Sequence, residues 1–154
     1  VQRLLKLYPN DYPLNQSLVD LLLKQNRSPE AEKILDQLIK TRPNDPDIWY
    51  QIAETRGLAN NIIGLHQARA EYFALVGDYD QAIQQLDEIL QTDFPGKDEA
   101  YYLRGNAYRK QGNWQQALNN YQYAIDLNPE SPAQHAYQMA MDILNFYNKD
   151  MYNQ

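Results

Sequence analysis

The chain has 154 residues, with 14 Lys and Arg against 20 Asp and Glu, a formal net charge of −6 and no cysteine. It has no basic stripe of the kind that neutralises phosphates, so nucleic acid is not expected as a partner. The lack of cysteine excludes disulfides, thiolate catalysis and cysteine-based zinc sites. No apolar run approaches the roughly 20 residues of a membrane-spanning helix, and we expect no membrane insertion.

The prolines give the first measure of a repeat. The interval from Pro9 to Pro43 equals the interval from Pro95 to Pro129, whereas the one from Pro43 to Pro95 is longer by about half. The segments between the prolines have helical periodicity over about a dozen residues each. The spacing predicts helix-turn-helix repeats, with a surplus of half a repeat in the middle.

The most regular repeat is residues 98–131, DEAYYLRGNAYRKQGNWQQALNNYQYAIDLNPES. Gly105 and Ala117 are small where two helices would cross closely, and Gly112 would end the first helix. The other signature positions of this repeat are Tyr101, Tyr108, Tyr121, Ala124 and Pro129. With these residues the segment resembles the tetratricopeptide repeat (TPR) family, although Arg104 stands where a leucine is usual.

Helix starts are indicated by capping residues. Asn113, with Gln116 three positions later, is a capping pattern for the second helix of this repeat. Ser28 and Ser131 are each followed by a proline, which predicts a serine N-cap with proline at the first helical position.

Weaker copies of the pattern precede the regular repeat. Residues 12–45 keep it through Leu18, Val19, Leu22, Ala31, Leu35, Leu38 and Pro43. A further helix begins at Asp45, with Trp49, Ile52 and Ala53 in register. Residues 1–9 resemble the end of a second helix from an earlier repeat. Since the chain begins at Val1, we expect it to be a piece of a longer protein.

The stretch GDYDQAIQQLDEIL, residues 77–90, has the signature of a second helix, with Ala82 in the place of Ala117. Its repeat would start at residue 63, only half a repeat after the preceding start at residue 46. A helix at 61–76 would then serve twice, as second helix to one repeat and first helix to the next. Two interpretations are open. The helix is either an extra one that redirects the solenoid or an irregularity of the repeat without functional meaning.

These observations predict an all-α fold, a right-handed alpha-alpha superhelix (TPR solenoid) of about eight helices. It would have a half-repeat extra helix at 61–76 and a C-terminal capping helix. The domains expected are residues 1–92 (a partial repeat 1–9, a repeat 12–45 and irregular repeats 46–92), a seam at 93–97, a repeat at 98–131, and the capping helix at 132–154.

Two more specific resemblances divide the chain. Residues 1–91 resemble the C-terminal TPR domain of periplasmic metalloproteases that enhance β-barrel assembly, through RPNDPDIWYQIAETRG and HQARAEYFALVGDYDQAIQQL. Residues 97–154 resemble small TPR proteins of Bacteroides-type bacteria, through AYYLRGNAYRKQGNWQQAL and MDILNFYNKDMYNQ. The first resemblance implies a periplasmic location and a domain that positions a protease without catalysing. Together they favour an engineered fusion, and one natural protein is the alternative.

We expect no enzyme, metal site or cofactor. The zinc motif H-E-x-x-H of the resembled proteases is absent, since the two histidines, His66 and His135, lie in different repeats. His66 would pack inward or at a groove edge, and His135 would be exposed. No glycine-rich phosphate loop is present.

The TPR resemblance implies a concave groove lined by first helices. The candidate peptide-binding residues there are Asp20, Tyr50, Glu54, Gln67, Glu71, Tyr102, Asn106 and Lys110. Some members of the family grip a C-terminal carboxylate with basic residues and asparagine, but here only Asn106 and Lys110 match. The acids predict a groove for basic or neutral polar segments, with the tyrosines as contact surfaces, or a face whose acids only maintain solubility.

The apolar residues of the last helix spread over roughly 200° at 100° per residue. One flank, Ala136, Ala140, Leu144 and Tyr147, could seal the last repeat. The remaining apolar residues are the self-association candidates Tyr137, Met139, Met141, Ile143 and Phe146. Either this helix is an unusually buried cap, or a partner covers it, most simply a second copy across a two-fold axis.

The function predicted is a non-catalytic scaffold for protein–protein interaction. The leading hypothesis is an engineered chimera that self-associates as a homodimer through its last helix. The alternative is a natural peptide- or client-binding module that uses the groove.

Overall fold

A computed structural model describes the backbone of residues 2–152 and the side chains of residues 2–147. This part of the chain is all-α, as predicted, with nine helices where about eight were expected. They are α1 (Gln2–Leu7), α2 (Tyr12–Lys24), α3 (Ser28–Thr41), α4 (Pro46–Leu58), α5 (Ile62–Leu75), α6 (Tyr79–Leu90), α7 (Lys97–Lys110), α8 (Trp114–Leu127) and α9 (Ala133–Tyr152). Val1 and the last two residues of the predicted capping helix lie outside the described residues.

The chain forms two compact units, residues 1–76 and 77–154. In the first unit each helix from α1 to α5 packs against the next, and in the second unit the same holds from α6 to α9. Sequential antiparallel packing with short connections is the arrangement that a helical repeat requires, because each amphipathic helix buries its apolar stripe against its neighbours.

The core of the first unit contains the apolar positions that the repeat pattern singles out. Val19, Leu35 and Ile52 are fully buried, and so is Ile48, which the pattern did not single out. Each such side chain contributes about 1.5–3 kcal/mol relative to an exposed one. The apolar spacing therefore fixes which face of α2, α3 and α4 points inward, and leaves the other faces for function.

Helix starts follow the expected chemistry with one exception. The side chain of Asn113 accepts a hydrogen bond from the N–H of Gln116 at 3.3 Å, and the Oγ of Ser131 accepts from the N–H of Ala133 at 3.1 Å. The cap predicted at Ser28 is wrong. Helix α3 begins at Ser28 itself, and Arg27 occupies the cap without a side-chain hydrogen bond.

The predicted helix at 61–76 is confirmed as α5, which packs against α4. The two helices run antiparallel, since the rings of Tyr50 and Tyr72 lie 5.6 Å apart at one end and Gly57 faces Leu65 at the other. Gly64 is buried at the start of α5, where an added Cβ would lie 2.8 Å from the Cδ of Arg56.

The side chain of Arg56 holds three helices of the first unit together. Its Nε donates to the Oε1 of Glu32 in α3 at 3.2 Å, and one of its terminal nitrogens donates to the backbone oxygen of Gly64 in α5 at 3.1 Å. Helix α5 is therefore fixed to α4 by a charged hydrogen bond as well as by apolar packing.

Helix α9 packs on the second unit with a wider face than expected. Ala136, Ala140 and Leu144 contact the core as predicted. Tyr137 and Met141 also pack against that core, so the expectation that they face away from it is wrong, whereas Tyr147 is 60% exposed and does not complete the seal. Positions 133, 137 and 141 form one row along the helix, and positions 136, 140 and 144 form a second row beside it. Because both rows face the core, the buried face of α9 is two rows wide.

Candidate protein-binding surfaces

A ladder of polar side chains joins α2 to α4 on the first unit. The Nε2 of Gln16 donates to the hydroxyl of Tyr12 at 2.7 Å and to the Oε1 of Gln51 at 3.3 Å. The Nε2 of Gln51 in turn donates to the carboxylate of Asp20 at 3.4 Å. Asp20 is exposed, so the ladder places an acid on the surface beside α4.

Tyr12, at one end of this ladder, lies under the guanidinium of Arg42, 3.9 Å from the ring centroid. The pKa of Tyr12 is raised to about 12. The larger cause is burial of the side chain, and the next is a hydrogen bond that its hydroxyl donates to Asp45. The neutral phenol is therefore part of the structure that supports the polar face of α2.

Tyr50 is the most exposed ring on α4. Its side chain is 58% exposed, and it contacts Tyr72 of α5 edge to face at 5.6 Å. Tyr72 contacts Phe73 in the same geometry at 5.4 Å. Edge-to-face packing favours a defined ring orientation, so Tyr50 offers a flat surface without losing much freedom on binding.

A cleft of about 330 Å³ lies between α4 and α5 within the first unit. Its walls are mainly apolar and aromatic and are formed by Tyr50, Ala53, Glu54, Gly57, Leu58, Leu65, Arg69, Tyr72 and Phe73. An apolar concavity with a few charged groups at its edge is the usual form of a ligand site. We call it the α4–α5 cleft.

Each wall of the α4–α5 cleft carries one charged side chain, Glu54 on α4 and Arg69 on α5. Because Tyr50 lies level with Tyr72 and Gly57 with Leu65, Glu54 lies about level with Arg69. Both charged side chains are exposed, and neither forms an ion pair with any residue in the described part of the chain.

The predicted groove residues of α5 lie apart from this cleft. Gln67 and Glu71 are half-buried and do not line it. Since α5 turns its 65, 69, 72 and 73 positions towards α4, positions 67 and 71 fall on another face of the helix.

In the second unit, α7 carries the other three predicted groove residues. The hydroxyl of the fully buried Tyr121 donates to the Oδ1 of Asn106 at 2.6 Å, and the Tyr102 ring lies 6.1 Å from the Tyr121 ring. Burial raises the pKa of Tyr121, which keeps this donor protonated. Asn106 is held in place, and Lys110 is exposed one turn further on.

The eight predicted residues thus fall on both units, five on the first and three on the second. Sequence reasoning found Tyr50 and Glu54 of the α4–α5 cleft and missed its second wall. A signal was present, because Leu65, Arg69 and Phe73 follow each other at intervals of four, on one face of a helix.

The outer surface of α9 exposes large apolar side chains. Met139 and Phe146 are 52% and 62% exposed, and the Phe146 ring contacts that of Tyr147 at 6.0 Å. Ile143, between them on the same side, is half-buried. Of the five self-association candidates, these three form one surface, which we call the α9 apolar surface.

The described residues also bear on metals and membranes. No group of three or more His, Cys, Asp or Glu side chains among them is arranged to hold a metal ion. His135 is exposed, as predicted, and His66 is half-buried with an interaction of its own. None of the helices described has both the length and the apolar character to cross a membrane.

The fold and its repeats define an all-α helical-repeat protein, and comparison with protein families gives the family. A tetratricopeptide repeat model matches residues 98–131 and a second one matches residues 1–54. The chain belongs to the tetratricopeptide repeat family, whose members are generally non-catalytic scaffolds for protein–protein interaction.

Among solved structures, the chain is similar to protein BF1650 of Bacteroides fragilis, with 66% identity and a TM-score of 0.50. The likeness covers 55% of this chain and 86% of that one. A MamA protein shows the same fold at 16% identity and a TM-score of 0.50, over 91% of this chain and 86% of that one. None of the curated proteins matches the chain at a significant level.

Proposed function

We propose that the chain is a scaffold without catalytic activity that binds an extended or helical segment of another protein through the polar faces of α2 and α4. The observation that carries this proposal is the exposed ring of Tyr50, oriented by Tyr72 and followed one turn later by Glu54. Oriented aromatic residues at the centre of a contact surface supply most of the binding energy in known interfaces.

Charge favours a basic or neutral polar ligand. Asp20 and Glu54 are exposed acids on this face, and the chain as a whole carries a net charge of −6. A lysine-rich segment would be attracted at low salt, and its affinity would fall as salt screens the charges.

A panel of lysine-rich, neutral and acidic peptides, measured by fluorescence anisotropy at low and high salt, tests the proposal. We expect salt-sensitive binding of the lysine-rich members and a loss of roughly tenfold or more in the Tyr50→Ala variant. Tyr8→Ala is the matched control, because Tyr8 is exposed to a similar degree, 61%, at the end of α1. Binding that is absent, or equally affected by both variants, would contradict the proposal.

A second candidate function is self-association through the α9 apolar surface. Met139 and Phe146 expose apolar area that a second copy could cover. Light scattering after size exclusion at two concentrations is expected to give twice the 18.0 kDa of one chain, and Met139→Glu with Phe146→Glu should give the monomer mass. A wild-type monomer at both concentrations would contradict this candidate.

We also propose that the chain joins parts of two TPR proteins. In favour of a seam at 93–97, α7 begins after Gly96 at φ 85° without a side-chain cap, whereas α6 and α8 are capped by Asp78 and Asn113. The likeness to BF1650 covers 55% of the chain, whereas residues 97–154 make up well under half of it. It therefore extends before residue 97, and the position of the seam stays a prediction.

A further inference from the structure

We infer that the α4–α5 cleft binds one large apolar side chain that stands next to a lysine or arginine in the ligand. The inference rests on the proposed function, because it names the chemistry of the segment that the scaffold binds. It adds a pocket and a charge preference, each carried by residues that can be changed separately.

The apolar part follows from the size and walls of the cleft. Its volume of about 330 Å³ is at the low end of the roughly 300–1,000 Å³ typical of ligand pockets, which suits one aromatic or aliphatic side chain better than a cofactor. The rings of Tyr50, Tyr72 and Phe73 form one side, and Leu58 and Leu65 lie nearer the α4–α5 turn. A leucine or phenylalanine side chain would lose its contact with water against these groups.

The charge preference follows from the two walls. On α4 the exposed ring of Tyr50 and the carboxylate of Glu54 both attract a cation, the ring through its π face. On α5 the guanidinium of Arg69 repels one. A cationic side chain of the ligand therefore lies over α4, on the side where the ladder places Asp20.

Glu54 and Arg69 give an unusually clean test, because both are exposed and neither has an ion pair in the described part of the chain. Reversing either charge breaks no intramolecular ion pair there. The two reversals are expected to change affinity for a basic ligand in opposite directions, which a general loss of stability would not do.

The probes are three labelled, end-blocked peptides: Gly-Ser-Lys-Phe-Ser-Gly, the same with Glu for Lys, and the same with Ser for Phe. For the wild type we expect the Lys-Phe peptide to bind most tightly and the Glu-Phe peptide to bind at least about threefold more weakly, as for a solvent-exposed charge pair. The peptide without phenylalanine should bind weakest.

Glu54→Lys should reverse the preference between the Lys-Phe and Glu-Phe peptides, and Arg69→Glu should tighten binding of the Lys-Phe peptide. Glu88→Lys is the control, since it makes the same change in net charge at an exposed position in the second unit. It should leave both affinities unchanged, and circular dichroism should show equal helix content in all variants.

The outcomes separate this inference from the proposed function. If wild type binds members of the broad panel through Tyr50 but does not distinguish Lys-Phe from Glu-Phe, the inference is overturned and the proposed function stands. Equal effects of Glu54→Lys and Glu88→Lys would overturn it as well. If no peptide of either set binds, both the proposed function and the inference that rests on it are overturned.

Discussion

Gly105 and Tyr121 pack so closely that a Cβ at position 105 would lie 2.7 Å from two carbons of the Tyr121 ring. The same Cβ would lie 3.3 Å from the backbone oxygen of Ala117. The ring cannot move aside easily, because Tyr121 is fully buried and its hydroxyl is bonded to Asn106. The glycine thus sets the distance between α7 and α8, and with it the position of Asn106 on the surface.

Gly105→Ala should therefore destabilise the second unit. Alanine gains about 1 kcal/mol of helix propensity, and overpacking of a core costs about 1–3 kcal/mol. Because the buried ring has no room to shift, we expect a cost in the upper part of that range, about 2–3 kcal/mol, and a net loss of about 1–2 kcal/mol. Urea unfolding followed by Trp114 fluorescence measures it, because Trp114 is the only tryptophan of the second unit.

Gly57→Ala is the matched control in the first unit, where a Cβ would meet only Leu65 at 3.7 Å, an ordinary contact. Unfolding followed by Trp49 should show no loss or a small gain in stability. A Gly105→Ala protein as stable as wild type would show that Tyr121 can move, contrary to the packing described.

Arg104, which stands where the family usually has leucine, connects three helices of the second unit. Its Nε donates to the Oδ1 of the buried Asn120 and a terminal nitrogen donates to Asp87, both at 2.7 Å. Arg104→Leu should lower the free energy of unfolding by about 1–3 kcal/mol, because it leaves a buried acceptor unpaired.

A double-mutant cycle isolates this effect. Once Asn120→Ala has removed the acceptor, Arg104→Leu should cost clearly less than it does alone. Additive losses, measured by urea unfolding of the four proteins, would mean that Arg104 stabilises the unit through Asp87 or by packing on Tyr101 instead.

The helices were predictable because their signals are local. The caps at Asn113 and Ser131 and the small pair Gly105 and Ala117 each depend on residues within one repeat, and the proline spacing can be read directly along the chain. The predicted cap at Ser28 was wrong for a local reason too. Asn26 has a left-handed backbone conformation with φ 59°, and the N–H of Arg27 donates to the backbone oxygen of Leu22, so the helix starts one residue earlier than predicted.

The candidate site was only half predictable, because it depends on how helices pair. Tyr50 and Glu54 follow from the repeat positions of α4, but Arg69 becomes their neighbour only through the antiparallel contact of α5, where the repeat register is broken.

On α9 the periodicity gave the apolar residues correctly and could not tell which flank would face α8, so Tyr137 and Met141 were assigned to the wrong side.

The raised pKa of Tyr12 predicts a dependence of stability on pH. The folded-state pKa of about 12 exceeds the 10.0 of an unperturbed tyrosine, mainly because of burial, so the fold favours the protonated hydroxyl. Its stabilisation is complete below about pH 10 and is lost as the pH rises from about 10 towards 12.

Urea unfolding followed by Trp49, at about pH 9 and about pH 11.5, measures this loss. In Tyr12→Phe the part of the loss that belongs to Tyr12 should disappear, although stability at pH 9 is lower because Gln16 loses its acceptor. An unchanged pH dependence in Tyr12→Phe would assign the effect to other tyrosines.

The two-unit division predicts which fragments fold alone. Residues 77–154 keep α6, which buries Ala82, Ile83, Leu86 and Ile89. This helix also supplies Asp87 to Arg104 and Asp80 to Gln111, the latter at 2.5 Å. We expect this fragment to be helical by circular dichroism and to melt cooperatively.

A fragment of residues 98–154 lacks α6 and exposes the face of α7 that packs on it. If α6 belongs with the repeat that follows it, this fragment should keep less helix per residue and melt without a sharp transition, because α7 to α9 alone would bury too little apolar surface to offset the entropy of ordering. If the short fragment melts as sharply as the long one, residues 98–154 fold independently, as a seam at 93–97 requires. If only the long fragment does, α6 belongs with the repeat that follows it, and any join between two proteins lies before residue 77.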